Sequence, residues 1–188
     1  MDVEKILESI EVAVVPKTEA FVAAGNKVFG ACILRKDDLS VVAADTNREI
    51  EWPLLHGEVS CLRTYQKMPH RPKPAECVFV ATHEPCPLCL SAITWAGFDN
   101  FYYLFTYEDT KDAFNIPHDL KILKEVFGGS YNRTNAFWTS YSITALIEDL
   151  EEPKKSEMKA RVAALKLKYD AMSNAYQTSK SDNDIPLS

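Results

Sequence analysis

The sequence predicts a three-layer α/β/α sandwich, in which helices cover both faces of a mixed β-sheet. Two apolar runs follow each other across a short polar turn, which is typical of an antiparallel hairpin. Strand-like and helix-like segments then alternate along the middle of the chain, the order expected for a sheet with crossover helices. With 188 residues, of which 46% are hydrophobic, the chain is long enough for one domain with a substantial core.

The N-terminal third predicts two helices, a hairpin and a third helix, in that order. Residues 2–24 are rich in helix formers, and Pro16 divides them because proline breaks the interior of a helix. The apolar runs at 28–34 and 39–44 predict the hairpin strands. A polar loop then precedes a helix at 56–67.

The middle of the chain predicts alternating strands and helices. Residues 76–82 are rich in β-formers and predict a strand. Pro85-Cys86-Pro87 opens a helix that runs to Trp95, since proline is tolerated in the first turn. Residues 101–105 predict a fourth strand, and residues 111–127 predict a segment that is helical in part.

The C-terminal part predicts a loop at 128–140, a short helix at 141–150 and a long amphipathic helix at 155–177. The long helix has one apolar stripe, whose members are Met158, Val162, Leu165, Tyr169, Met172 and Tyr176. This stripe favours packing on the chain's own core, with a helix contributed to a dimer partner as the alternative. Residues 179–188 predict a frayed polar tail.

Charge and composition argue against several classes of protein. The chain has 21 Lys and Arg against 27 Asp and Glu, a net charge of −6, which disfavours binding to long nucleic acids. No run of about 18 apolar residues occurs, so no membrane span is expected, and the N-terminus lacks the pattern of a secretory signal. The odd number of cysteines, five, argues against a disulfide framework. These features predict a cytoplasmic protein with reduced thiols.

Four residues predict a zinc site with catalytic capacity. Cys86 and Cys89 lie one turn apart at a helix start, where the positive helix end favours thiolates. His56 precedes another predicted helix, and one His with two Cys leaves the fourth position of a tetrahedral zinc ion open. Glu58 is close enough in sequence to His56 to transfer protons at that position. Each residue alone also fits a structural role, but the four together favour one zinc ion per chain.

The His-x-Glu and Pro-Cys-x-x-Cys pattern resembles the zinc-dependent cytidine/deoxycytidylate deaminase superfamily over residues 18–127. Phe29-Gly30-Ala31 is similar to a Pro-Phe-Gly-Ala segment of that family. His56-Gly57-Glu58 is similar to yeast-type cytosine deaminases, whereas most relatives have His-Ala-Glu. Glu84-Pro85-Cys86-Pro87-Leu88-Cys89 is most similar to guanine deaminases, which carry Phe-Asp where this chain has Phe114-Asn115.

The resemblance implies a mixed five-stranded sheet, a homodimer and hydrolytic deamination of a small amino-substituted heterocycle, guanine first and cytosine second. It assigns His56, Cys86 and Cys89 to zinc, and it assigns to Glu58 the protons that move from water to the ring and to the departing ammonia.

The expected organisation is a catalytic domain at 1–150, followed by a C-terminal helix and flexible tail at 151–188. A tRNA-editing adenosine deaminase and a non-catalytic zinc scaffold are the alternatives to this function. The acidic net charge disfavours the first, and the presence of Glu58 disfavours the second.

The candidate substrate-binding residues are polar groups near the motif and aromatic side chains. Asn47 is expected to hydrogen-bond the base, since an amide both donates and accepts, with an ordinary turn asparagine as the alternative. Gly57 is expected to offer a backbone group to the base, and Glu84 either contacts the substrate or caps the helix. The candidate stacking walls, which equally suit a core, are Phe29, Trp52, Trp95, Phe114 and Trp138.

Overall fold

The computed structural model describes residues 1–112 and 118–187, and their strands form one mixed five-stranded sheet. The strands are β1 (Gly30–Arg35), β2 (Val41–Thr46), β3 (Cys77–His83), β4 (Asn100–Phe105) and β5 (Thr139–Ser142). Their spatial order is β2-β1-β3-β4-β5. Strand β1 is antiparallel to both neighbours, whereas β3, β4 and β5 are parallel. Parallel pairs need crossover connections, and helices on both faces of the sheet confirm the predicted three-layer fold.

Eight α-helices lie within the described ranges. They are α1 (Val3–Ser9), α2 (Val15–Ala23), α3 (Gly57–Gln66), α4 (Pro87–Trp95), α5 (Tyr107–Asp112), α6 (His118–Phe127), α7 (Ile143–Glu148) and α8 (Lys154–Ser179). A π-helical turn, Ile10–Val14, joins α1 to α2, so the chain stays helical through Pro16 and the predicted break there is wrong. The wider π turn tolerates the proline ring, and Pro16 lies in the first turn of α2, where its missing N–H costs least.

The two faces of the sheet bury alternate residues of each strand. In β1, Cys32 and Leu34 face α1, α2, α7 and α8, whereas Ala31 and Ile33 face α3 and α4. The stripe of α8 is buried in the first of these cores, with Met158 and Tyr169 fully enclosed. The long helix therefore packs on its own domain, as the sequence favoured over the dimer alternative.

The C-terminal part differs from the sequence prediction in two places. Strand β5 occupies residues that the pattern assigns to a loop and a helix start, so the short helix α7 begins only at Ile143. The tail is not frayed: Ile185 is buried, and the side chain of Asn183 donates to the carbonyl of Gly25 at 3.1 Å. Within the described ranges, no helix is both long and apolar enough to cross a membrane.

Candidate active site

Two helices begin at the same end of the sheet, and each is preceded by a candidate metal ligand. His56 directly precedes α3 and Cys86 directly precedes α4, and both have extended backbones with ψ of 162° and 167°. Neither side chain forms a capping hydrogen bond to its own helix. Both side chains are therefore free to face the space between the two helix starts, where the positive ends of both helices favour anionic ligands.

His56, Cys86 and Cys89 come together as the sequence predicts, and their ligand atoms all lie within 4.8 Å of one another. The Nδ1 atom of His56 is 3.4 Å from the Cys86 sulfur and 3.7 Å from the Cys89 sulfur, and the two sulfurs are 3.6 Å apart. One imidazole nitrogen and two thiolates are a donor set that Zn²⁺ prefers, and three protein ligands leave its fourth position for a water molecule. The residues therefore fit a catalytic zinc ion.

The electrostatics of the cluster also suit a divalent cation. Hydrogen bonding with Cys89 and with His56 holds the pKa of Cys86 well below its ordinary value. Burial lowers the pKa of His56, but the hydrogen bond and charge of Cys86, together with Glu49 and Glu58, outweigh it and raise that pKa to about 9. The site thus concentrates negative charge around one imidazole, which a bound cation would neutralise.

Glu58 projects from the first turn of α3 into the same space. Its Oε2 atom is 3.2 Å from the Cys89 sulfur, and the residue is buried. Burial, together with the negative charge of Cys86, raises the pKa of Glu58 to about 7. Glu58 is therefore a carboxyl group beside the three ligands, within reach of a molecule bound at the centre of the cluster.

The cluster opens into a cavity of about 480 Å³, within the usual range for sites that bind small molecules. Apolar lining comes from Phe29, Leu54, Leu88 and Ile122. Charged lining comes from Lys27, Glu49, Glu84 and Asp119, which we call the polar wall. Pro186 and Leu187, at the end of the chain, complete the lining.

The predicted polar candidates have different positions in this site. Asn47 is completely buried behind the polar wall, where its Nδ2 donates to Glu49 at 2.7 Å and its Oδ1 accepts from the backbone N–H of Gly57. Glu84 lines the cavity and accepts from Tyr107 N–H at 3.2 Å and from the Tyr131 hydroxyl at 2.6 Å.

The predicted aromatic candidates also differ in whether they line the cavity. Phe29 lines the cavity. Trp138 is buried in the core beside Phe101, with ring centroids 4.9 Å apart, whereas Trp52 is half exposed and Trp95 is 91% exposed. Phe114 lies outside the described residues, so its role in the site stays a prediction.

Several cavity residues were missed by the sequence reasoning. Three of them, Lys27, Glu49 and Asp119, come from different loops or helix starts. Only Glu49 lies near a predicted site residue in the sequence, two positions after Asn47. His83 also lines the cavity, at the end of β3. The tail was missed because its polar composition resembles that of a disordered end.

Comparison with known proteins agrees with this description of the site. The model of the cytidine and deoxycytidylate deaminase zinc-binding region matches residues 4–105. A guanine deaminase of Bacillus subtilis (strain 168) is 31% identical over 113 residues, which cover 58% of this chain and 69% of that enzyme.

Solved structures of related enzymes show the same fold. A guanine deaminase from Nitrosomonas europaea aligns with a TM-score of 0.54 and 16% identity, covering 96% of this chain and 85% of the other. A tRNA:A34 deaminase aligns with a TM-score of 0.51 and 20% identity, covering 72% and 96%. A chain in complex with 8-azaguanine aligns with a TM-score of 0.54 and 17% identity, covering 93% and 86%.

Proposed function

The chain belongs to the cytidine and deoxycytidylate deaminase family and is a zinc-dependent nucleobase deaminase, and we propose that it acts on a free nucleobase or a related amino-heterocycle, with guanine as the first candidate and cytosine as the second. The observation that carries this proposal is the His56, Cys86 and Cys89 cluster with Glu58 beside it, in a cavity of about 480 Å³. The identity to a guanine deaminase supports guanine as the first candidate.

Three features of the cavity favour a free base over a nucleotide or a polymer. Apolar side chains, among them Phe29, Leu54, Leu88 and Ile122, line part of the cavity, which suits the faces of a planar ring. The lysine of the polar wall, Lys27, is already paired with Glu49 and so offers little to a phosphate, whereas the carboxyl group of Asp119, whose pKa burial raises to about 8, can hydrogen-bond ring N–H and amino groups. Pro186 and Leu187 of the tail also line the cavity, which leaves less room for a base that is still attached to RNA.

The proposed reaction is hydrolysis of the ring C–N bond, in which water replaces the amino group and ammonia leaves. Zinc, when bound, would supply a Lewis acid that lowers the pKa of a water molecule toward neutrality. An Oε atom of Glu58 would take one proton from the attacking water and pass it to a ring nitrogen. It would then take the second proton from the hydroxyl now on the ring carbon and deliver it to the amine, so that the C–N bond breaks, ammonia leaves and a carbonyl remains. Phe29 would hold the ring by contact with its face.

Ammonia release by zinc-loaded protein tests this function. The panel consists of guanine, cytosine, adenine, guanosine, GMP and a tRNA anticodon stem-loop. Guanine should be turned over fastest, and Glu58→Gln should lower kcat by about 10²- to 10⁴-fold while zinc stays bound. The control is Glu51→Gln, which changes an exposed glutamate of the preceding loop. Turnover of cytosine without guanine would exclude guanine as substrate, and full activity of Glu58→Gln would refute the role of that residue.

The resemblance also leads us to propose a cytoplasmic homodimer. The indole of Trp95 is 91% exposed at the end of α4, and a dimer interface that covered it would remove its apolar surface from water. All five cysteines are free thiols, which suits a reducing compartment. Light scattering should give twice the mass of one chain, and a monomeric mass would contradict the dimer.

A further inference from the structure

A buried ion pair lies in the polar wall next to the zinc ligands. The Nζ atom of Lys27 donates to the Oε1 atom of Glu49 at 3.0 Å, and the two side chains are only 7% and 1% exposed. Burying two charges costs free energy that their attraction often fails to recover, so apolar residues would serve stability as well or better. The function of this ion pair is therefore to be sought in the other contacts of the Glu49 carboxylate.

One oxygen of Glu49 is linked to the start of α3 through an amide. Oε2 accepts from Nδ2 of Asn47 at 2.7 Å. This bond orients the amide so that its oxygen faces the other way and accepts from the backbone N–H of Gly57, the first residue of α3. Glu49 thus supports, through one rigid side chain, the backbone that connects His56 to Glu58.

The other oxygen of Glu49 faces the zinc ligand itself. Oε1 is 3.7 Å from Nε2 of His56, while Nδ1 of the same ring faces the two cysteine sulfurs. Nδ1 is therefore the atom available to the metal, and Nε2 is the atom that faces the Glu49 carboxylate. A carboxylate on the far nitrogen of a metal-binding histidine holds the orientation of the ring and the proton on that nitrogen.

We propose that Glu49 is a positioning residue for the zinc site, which holds the His56 ring with one oxygen and the start of α3 with the other, and that Lys27 is its counter-ion. Glu49 acts through its neighbours and does not itself contact the metal. This proposal depends on the zinc ligands given above and is independent of which base is the substrate.

Zinc affinity of the Glu49→Gln variant tests the proposal, measured by competition with a chromophoric chelator. Glutamine preserves the size of the side chain and removes its charge. The dissociation constant for zinc should rise by about 10- to 100-fold, and the visible absorption of the cobalt-substituted protein should shift because the imidazole is held less firmly. The matched control is Glu51→Gln, whose partner is the exposed Arg63 and whose zinc affinity should equal that of the parent.

A second variant separates positioning of the ligand from general stability. Glu49→Gln leaves Lys27 buried without a counter-ion, so Lys27→Met combined with Glu49→Gln should recover stability in urea unfolding of the zinc-free protein. The double variant should nevertheless keep the weakened zinc binding. Recovery of zinc affinity together with stability, or unchanged zinc affinity in Glu49→Gln, would overturn the proposal. A failure of guanine turnover alone would leave these zinc measurements unaffected, whereas zinc binding by His56→Ala would refute the ligand set instead.

Discussion

Gly57 is the residue between His56 and Glu58, and adding one methyl group there tests how tightly the site is built. A Cβ atom at this position would lie 2.7 Å from both the Cα of Gly30 and the carbonyl oxygen of Phe29, where ordinary contacts are 3.4–4 Å. These neighbours are backbone atoms at the start of β1, so they cannot rotate away as a side chain could. Gly57→Ala must therefore push the start of α3 off the sheet.

The expected magnitude follows from two opposing terms. Alanine stabilises a helix relative to glycine by about 0.5–1 kcal/mol, whereas overpacking a well-filled site costs about 1–3 kcal/mol. We expect a net loss of about 0.5–2 kcal/mol in the free energy of unfolding. The displaced turn carries the zinc ligand and the proposed proton-transfer group, and small misplacements of such groups lower activity by up to about 10²-fold.

Urea unfolding of the zinc-free protein measures the loss of stability. Chelator competition and ammonia release measure how far the displaced turn weakens zinc binding and turnover. Gln66→Ala, an exposed change in the last turn of the same helix, is the control and should stay within about 0.5 kcal/mol of the parent. Most members of the family that this chain resembles have His-Ala-Glu at this motif and so accommodate an alanine. The predicted loss is therefore specific to the close approach of α3 and β1 in this chain. A Gly57→Ala protein with parental stability, zinc affinity and turnover would refute the reasoning.

Two further predictions concern the cysteines and the response to acid. Cys86→Ala should lose zinc, as measured by elemental analysis, whereas Cys61→Ala, on the buried face of α3, should keep zinc and lose only stability; bound zinc in Cys86→Ala would contradict the ligand assignment. Burial lowers the pKa of His83 to about 3, so the unfolded chain binds a proton that the folded chain rejects. The zinc-free protein should therefore lose stability as the pH falls from about 6.5 toward 3. His83→Phe should reduce that loss and exposed His70→Phe should not; equal pH dependence of both variants would contradict this assignment.

The fold was predictable where burial imposes a period on the sequence. Strands β1, β3 and β4 are almost wholly buried, so their apolar runs identified them, and the stripe of α8 did the same for a helix. Strand β5 was not recognised, because Thr139–Ser142 is short and polar and is held mainly by its parallel pairing with β4. Backbone pairing of this kind leaves little trace in side-chain hydropathy.

The site was predictable where chemistry restricts both residue type and spacing. Zinc needs particular donor atoms, so His56, Cys86 and Cys89 were identifiable together, and the structure places them within 4.8 Å. Lys27 and Glu49 obey no such rule, because a lone lysine and a lone glutamate in separate loops become a pair only after β1 and β2 align. The end of the tail was unpredictable for the same reason, since Ile185 is buried and nearby Asn183 is bonded to Gly25, which is distant in sequence.

Two of the zinc ligands occupy positions that other helices of the chain use for capping. Helix α1 is capped by the side chain of Asp2 and α7 by that of Ser142, which satisfy backbone N–H groups at the helix start. At the same positions of α3 and α4, His56 and Cys86 give no such bond. Both helices therefore give up the stability of a cap to direct a ligand toward the other helix start. Helices α2 and α8 also begin without a side-chain cap, at Val14 and Pro153, but those residues carry no metal-binding group. The distinguishing feature of α3 and α4 is that their two uncapped starts meet, with the ligand atoms within 4.8 Å of one another, as at a functional site.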